Sequence, residues 1–168
     1  GIEDILREDA KTAVNELHRL GIEIHLLSGD HLAAVNQTAN EAGIKHIKAQ
    51  VLPSEKEAYI MGLKQAGRKV AMVGDGINDS QALACADVSI AMGKGTDIAM
   101  DIAMATLVYP KLMLLPKAFG ISRATVRTIR QNLFWAFIYN LIGIPVAAGA
   151  FYVLSGWLLN PMYASAAM

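Results

Sequence analysis

The distribution of charge along the chain is the feature that most limits its fold. The last 38 residues, Gln131 to Met168, contain no Asp, Glu, Lys or Arg. Residues 1–101 carry ten bases and 15 acids, a net charge of −5, and residues 102–130 carry five bases and no acid, a net charge of +5. Such unlike pieces exclude a simple soluble globule, a disordered chain and a basic nucleic-acid-binding protein.

The first 110 residues alternate helical and strand patterns with short connections. Apolar residues recur at helical spacing from Asp9 to Leu20, and a short apolar strand then ends at Ser28. This alternation predicts an α/β fold with a parallel sheet covered on both faces. Ligands of such sheets collect at the carboxyl ends of the strands, which here are Ser28-Gly29-Asp30 and Gly74-Asp75.

The segment Gly74-Asp75-Gly76-Ile77-Asn78-Asp79 lies between a predicted strand and a predicted helix. Its glycines allow a sharp turn and close approach to a ligand. Asp75 and Asp79 can present two carboxylates near one point, which suits Mg²⁺, and Asn78 adds a neutral donor for a phosphate oxygen. The alternative is a surface turn whose aspartates cap the helix.

Ser28-Gly29-Asp30 offers a hydroxyl and backbone N–H groups at a helix start, an arrangement that favours a phosphate anion. Ordinary capping by Asp30 is the alternative.

Downstream, Pro53, Ser54 and Glu57 predict a helix start with a capping box. Lys56 lies just inside that helix, where a cation opposes the helix dipole, so it is either directed at phosphate or a solvated surface residue.

In this order, the hydroxyl-Gly-Asp strand end, the Pro-x-x-Lys helix and Gly-Asp-Gly-x-Asn-Asp resemble the phosphorylation domain of P-type ATPases, which has the Rossmann-like haloacid-dehalogenase fold. Gly93-Lys94-Gly95-Thr96-Asp97 resembles the segment that follows in that family. The resemblance implies the following catalytic set, with Mg²⁺ as cofactor: Ser28, Gly29, Asp30 and Lys56 around the phosphoryl group, Asn78 on the phosphate, and Asp75 with Asp79 on Mg²⁺.

The family's nucleophile is the aspartate of Asp-Lys-Thr-Gly-Thr, a segment this sequence does not contain. We therefore expect the nucleophile, the nucleotide-binding domain that binds most of the ATP and the actuator domain to lie elsewhere in the same polypeptide. On this interpretation residues 1–112 are the carboxy-terminal part of the phosphorylation domain, and the chain does not turn over ATP alone.

A basic helix from Lys117 to Arg130 leads into Leu133–Tyr152, 20 residues without charge and long enough to cross a bilayer. The bases on its amino-terminal side predict that residues 1–131 are cytoplasmic. We expect an integral protein of the cell (inner) membrane, with a transmembrane hairpin whose second helix is truncated. Its segments are a juxtamembrane helix at 113–131, a transmembrane helix at 132–153, an outer turn at 154–160 and the start of the last helix at 161–168. A hydrophobic tail packed on the soluble part is the alternative.

Tyr139 and Asn140 fall near the middle of that span. Polar groups at this depth usually either line a transport path or form a hydrogen bond with a neighbouring helix. With Gln131-Asn132-Leu133 and Ile144-Pro145 these two residues resemble the penultimate helix of the copper branch of heavy-metal P-type ATPases. The resemblance implies that Tyr139, Asn140 and Met168 bind the transported ion. A thioether ligand favours Cu(I).

Two other functions remain open from the sequence. One is a zinc- or cadmium-transporting ATPase, and the other is a catalytically inert membrane-tethered module. The four histidines, His18, His25, His31 and His46, lack a metal-ligand spacing such as His-x₃-His and are interpreted as structural.

Overall fold

A computed structural model describes residues 9–74, 77–93, 101–109 and 111–147. The chain divides into two compact units, Gly1–Phe119 and Gly120–Met168. The described elements alternate as predicted and are, in chain order, α1 (Ala10–Arg19), β1 (His25–Leu27), α2 (Leu32–Ala42), β2 (His46–Lys48), α3 (Pro53–Gln65), β3 (Ala71–Gly74), a 3₁₀ turn (Ile77–Asp79), α4 (Ser80–Cys85), β4 (Val88–Met92), β5 (Ala105–Leu107) and α5 (Leu114–Ala147).

All strand pairing among the described residues is parallel, which confirms the predicted fold class of the first unit. Strands β1 and β2 form one sheet, in which His25 lies opposite His46. Strands β3, β4 and β5 form a second sheet in that order. The described strands thus form two sheets, and β1 is not paired with β3.

Two apolar clusters hold the first unit together. Leu17 of α1, Ile90 of β4 and Leu115 of α5 form one cluster, and both Ile24 and Val73 pack against it. Ile60 of α3, Ala82 and Ala86 form the other, which fixes α3 over α4. Burial of apolar area is the main favourable term in folding, so these clusters determine where the strand ends lie.

The start of α3 differs from the sequence prediction. The helix begins at Pro53 with Leu52 as its N-cap, and the Glu55 carboxylate accepts a hydrogen bond from the Leu52 N–H at 2.8 Å. The predicted Ser54–Glu57 capping box is therefore wrong. Proline is suited to the first helical position, so the helix starts at Pro53 and Ser54 lies within its first turn. Glu55, the third helical residue, is then the one whose carboxylate bonds back to the N-cap residue.

Asp87 links the first residues of β3 and β4. Its carboxylate accepts a hydrogen bond from the Val70 N–H at 3.0 Å, and Lys69 and Lys64 lie 3.3 and 3.7 Å from its other oxygen. The Val70 N–H, followed by the two lysines, lowers the pKa of Asp87. The carboxylate is therefore charged at neutral pH and fixes the start of the β3–β4 pair.

Helix α5 runs without interruption over 34 residues from Leu114 to Ala147. Many of its large apolar side chains are exposed, including Leu133, Trp135 and Leu141. Among the described residues, no helix has both the length and the apolar character needed to span a membrane. The predicted hairpin is not confirmed, because residues 148–168, with Met168 and the second helix, lie outside the described residues.

Candidate phosphoryl-transfer site

The Ser28-Gly29-Asp30 turn follows β1 and is fastened to the segment that precedes α3. The Val51 N–H donates to the Ser28 carbonyl and the Gln50 N–H to the Asp30 carbonyl, both at 3.0 Å. A Cβ on Gly29 would lie 3.7 Å from the Val51 carbonyl oxygen, an ordinary contact. These backbone bonds place the turn beside the amino-terminal end of α3, which carries Lys56 four residues after Leu52.

Asp30 does not cap α2. The N-cap residue of that helix is His31, and the Asp30 carboxylate instead accepts a hydrogen bond from the Ser28 hydroxyl at 2.7 Å. The Asp30 N–H donates to the same hydroxyl oxygen at 3.2 Å. Ser28 and Asp30 thus form a small polar loop at the strand end. Asp30 is exposed and Ser28 is partly exposed, so both are accessible to a ligand.

Lys56 and Asp79 join the amino-terminal end of α3 to the turn that follows β3. The Lys56 ammonium donates to Asp79 Oδ1 at 2.7 Å, and the two side chains are only 13% and 14% exposed. Asp79 precedes α4 but makes no side-chain capping bond to it. This pair excludes two alternatives that the sequence left open, namely that Lys56 is a solvated surface residue and that Asp79 caps a helix. Its partly buried position strengthens the attraction between the charges.

Gly74 makes room for that pair. A Cβ added at Gly74 would lie 2.8 Å from both Cβ and Oδ2 of Asp79, a distance that real Cβ atoms essentially never show. The glycine therefore does more than permit a turn, because its missing side chain is where the Asp79 carboxylate lies. The sequence indicates only that Gly74 permits a sharp turn, since nothing in the pattern shows which side chain packs over it.

The structure gives fewer contacts for the other predicted site residues. Asn78 lies in the 3₁₀ turn with an exposed side chain, one residue before Asp79. Asp75 lies outside the described residues. Tyr139 and Asn140 lie on α5 in the second unit, where the Tyr139 ring is 3.9 Å from the position of a Cβ on Gly143.

The donor chemistry at Asp79 fits a magnesium ion. Mg²⁺ usually takes one or two carboxylates and fills its other positions with water and phosphate oxygens. Because Asp79 Oδ1 is engaged by Lys56, its Oδ2 is the oxygen that would bind a cation while the ion pair stays intact. Lys56, Asp79 and the Ser28 loop together provide a cation, a carboxylate and a hydroxyl at the carboxyl ends of β1 and β3. Such a group can bind a phosphoryl oxygen and balance its charge.

This parallel α/β domain, with charged strand ends, belongs to the haloacid dehalogenase-like hydrolases. The model of that family matches residues 1–87. The predicted resemblance to copper-transporting P-type ATPases is also confirmed by similarity. The chain is 49% identical over 167 residues to a copper-exporting P-type ATPase of Vibrio cholerae and 50% identical to a probable copper-transporting ATPase of Synechocystis.

These similarities cover 99% of this chain but only 18% and 22% of the two relatives, so the chain spans about one fifth of their length. A solved structure of a zinc-transporting PIB-type ATPase in its E2.Pi state is 40% identical, with a TM-score of 0.77. That match covers 84% of this chain and 24% of the other.

We predict that Gly74→Ala destabilises the chain by about 1–3 kcal/mol, because the added methyl must displace the Asp79 carboxylate from Lys56. Gly62→Ala is the matched control. Gly62 lies within α3 with open space around it, so alanine there should stabilise the helix by about 0.5–1 kcal/mol. Urea unfolding measures both variants. Equal effects at the two positions would show that Gly74 is not an Asp79 contact.

Proposed function

We propose that the chain is the carboxy-terminal part of the phosphorylation domain of a Cu(I)-transporting P-type ATPase, together with membrane helices that help to bind the ion. The observation that carries the proposal is the Lys56–Asp79 pair at 2.7 Å, which joins the start of α3, beside the Ser28 turn, to the turn that follows β3. Sequence similarity to copper-exporting ATPases over nearly the whole chain supports the same conclusion.

The strand arrangement indicates where the nucleophile enters. Within the described part of the chain, β1 pairs only with β2, and β3 pairs only with β4. Ile24 before β1 and Val73 in β3 nevertheless pack against the same apolar cluster, so the two sheets belong to one core. We infer that a strand from another part of the polypeptide pairs with both free edges. An aspartate at its carboxyl end would then lie between Ser28 and Asp79.

The proposed reaction has two steps. The aspartate carboxylate attacks the γ-phosphorus of ATP, and the bond to the β-phosphate oxygen breaks to release ADP. Water then attacks the phosphorus of the aspartyl-phosphate, which frees inorganic phosphate and restores the carboxylate. This cycle of phosphorylation and hydrolysis would drive the ion across the membrane.

The residues of this chain act on the transferring phosphoryl group by charge and position. The Lys56 ammonium balances the negative charge that spreads over the phosphoryl oxygens. The Gly29 N–H orients these oxygens, together with the Ser28 hydroxyl once its proton turns from Asp30 to the phosphate. The Asp79 carboxylate holds Lys56 in place before the phosphate arrives. Magnesium, when bound by Asp79 and Asp75, would neutralise further phosphate charge. Asn78 would donate to a phosphate oxygen.

The second unit would contribute to the membrane part of the pump. Exposed Leu133, Trp135 and Ile142 suit α5 to a lipid environment, because such large apolar groups are costly in water. The bases Arg123, Arg127 and Arg130 precede the uncharged segment and would keep its amino-terminal end on the cytoplasmic side. Residues 132–153 would then span the bilayer of the cell membrane.

Copper is preferred over zinc for two reasons. The uncharged ligand set Tyr139, Asn140 and Met168 suits a soft monovalent ion better than a divalent one. The identity to the copper exporters, 49–50%, is also higher than the 40% identity to the zinc-transporting structure. The similarity to the copper exporters covers 99% of the chain, and that to the zinc-transporting structure covers 84%. An inert tethered module is disfavoured by the Lys56–Asp79 pair, which a purely structural domain does not need.

Substitution of Lys56 tests the catalytic assignment. In the complete polypeptide, Lys56→Met should lower metal-stimulated ATP hydrolysis by about 100-fold or more, because one charged donor to the phosphoryl group is lost. Lys45→Met is the control, since Lys45 is an exposed lysine between α2 and β2 and should leave the rate unchanged. Equal activity of the two variants would remove Lys56 from the site, and the inert-module alternative would gain support.

Substitution of Asn140 tests the ion assignment separately. Asn140→Leu in the complete polypeptide should reduce Cu(I) stimulation of ATP hydrolysis by about 10-fold or more while phosphorylation by inorganic phosphate is retained. Asn132→Leu, eight residues earlier on α5, should keep Cu(I) stimulation. Stimulation by Zn²⁺ instead of Cu(I) in the unchanged protein would favour the zinc alternative, and full Cu(I) stimulation of Asn140→Leu would remove this residue from the ion site.

A further inference from the structure

A second cluster of chemistry-bearing side chains lies at the opposite end of β1 and β2. Both short parallel strands begin with a histidine, and the pairing places His25 directly opposite His46. The two rings stack, with centroids 4.6 Å apart and planes inclined by 19°. Sequence spacing could not reveal this pair, because the two residues come together through strand register and not through a helical repeat.

Glu23 directs one carboxylate oxygen at both rings. Its Oε1 lies 2.9 Å from His25 Nε2 and 3.4 Å from His46 Nε2. The other oxygen, Oε2, is held by the Arg68 guanidinium. Hydrogen bonding from Arg68, followed by that from His25, lowers the pKa of Glu23, so the carboxylate is charged at neutral pH.

His25 has an outer partner that fixes its ring. Its Nδ1 lies 2.8 Å from the Tyr59 hydroxyl on α3, which leaves Nε2 directed toward Glu23. A hydroxyl can donate or accept, so Nδ1 can carry the ring proton toward Tyr59 when a metal ion replaces the proton that Nε2 donates to Glu23. A metal-binding imidazole commonly has such an outer hydrogen bond, which orients the ring.

We propose that Glu23, His25 and His46 bind one divalent first-row transition-metal ion of the Zn²⁺ class. One ligand atom from each residue lies within 4.8 Å of the other two. Tetrahedral zinc, with bonds of about 2.0–2.1 Å, places its ligand atoms about 3.3 Å apart. The distances from Glu23 to the two histidines already approach this value. Because the two rings are stacked and nearly parallel, the main adjustment required is a rotation that points both nitrogen lone pairs at one ion.

The donor set determines the class of ion. Two imidazole nitrogens with one carboxylate oxygen suit borderline ions such as Zn²⁺, whereas Mg²⁺ prefers oxygen ligands and Cu(I) prefers sulfur. Three protein ligands leave a fourth position for water. Side-chain exposures of 38% for Glu23 and 50% for His46 leave the site open to solvent. At about 3.3 Å per strand residue, His25 is about 10 Å from Ser28, so this site is separate from the phosphoryl-transfer site.

The test is a Zn²⁺ titration of the full chain by competition with a chromophoric chelator. We expect one ion per chain, with affinity lowered at least about 100-fold in His25→Gln and in His46→Gln. Tyr59→Phe, which removes only the outer partner, should weaken binding by about 10-fold. His18→Gln, on the exposed face of α1, is the matched control and should bind as the unchanged chain does.

A ligand replacement separates coordination from folding. His46→Cys keeps a zinc ligand at the same position and should retain one-to-one binding, although His46→Gln does not. Circular dichroism of the same samples compares their folded content. No uptake of Zn²⁺ by the unchanged chain would overturn the proposal. Uptake that is indifferent to both glutamine substitutions, or equal loss in His46→Cys and His46→Gln, would overturn it too.

Discussion

The ion pair between Lys56 and Asp79 is the interaction on which the phosphoryl-transfer site depends. It joins α3 to the turn after β3 across 23 residues of sequence, in a position where both side chains are largely buried. Loss of either partner would leave the other charge poorly solvated, which is costly. The pair also explains two local features, the cation in the unfavourable first turns of α3 and the glycine at position 74.

The edges of β1 and β3 that are unpaired in the described part of the chain suggest that another segment completes the site. Parallel strands are usually buried on both faces and paired at both edges, but the described strands form two separate sheets over one apolar core. A strand supplied by another part of the polypeptide would satisfy both edges and bring a nucleophile to Lys56. The similarity of this chain to about one fifth of two copper-transporting ATPases agrees with such a division of the site.

Much of this could be predicted from the sequence, because strand ends followed by glycine and acidic residues have a strong local signal. The alternation of elements, the parallel pairing and the strand ends at Ser28 and Gly74 came from that signal. The contact of Gly74 with Asp79 and the meeting of His25 with His46 did not, because each depends on tertiary placement or strand register. The start of α3 was misplaced because Ser54 and Glu57 match a capping box while Pro53 and Glu55 fit the helix start better.

A structure of the complete polypeptide with Mg²⁺ and beryllium fluoride, which imitates a phosphoryl group on a carboxylate, would show whether Lys56 and Ser28 bind the transferring group. We expect an inserted strand between β1 and β3, with the fluoride atoms within hydrogen-bond distance of Lys56 Nζ and Ser28 Oγ. Fluoroberyllate bound away from these two atoms, or β1 paired directly with β3, would contradict this expectation.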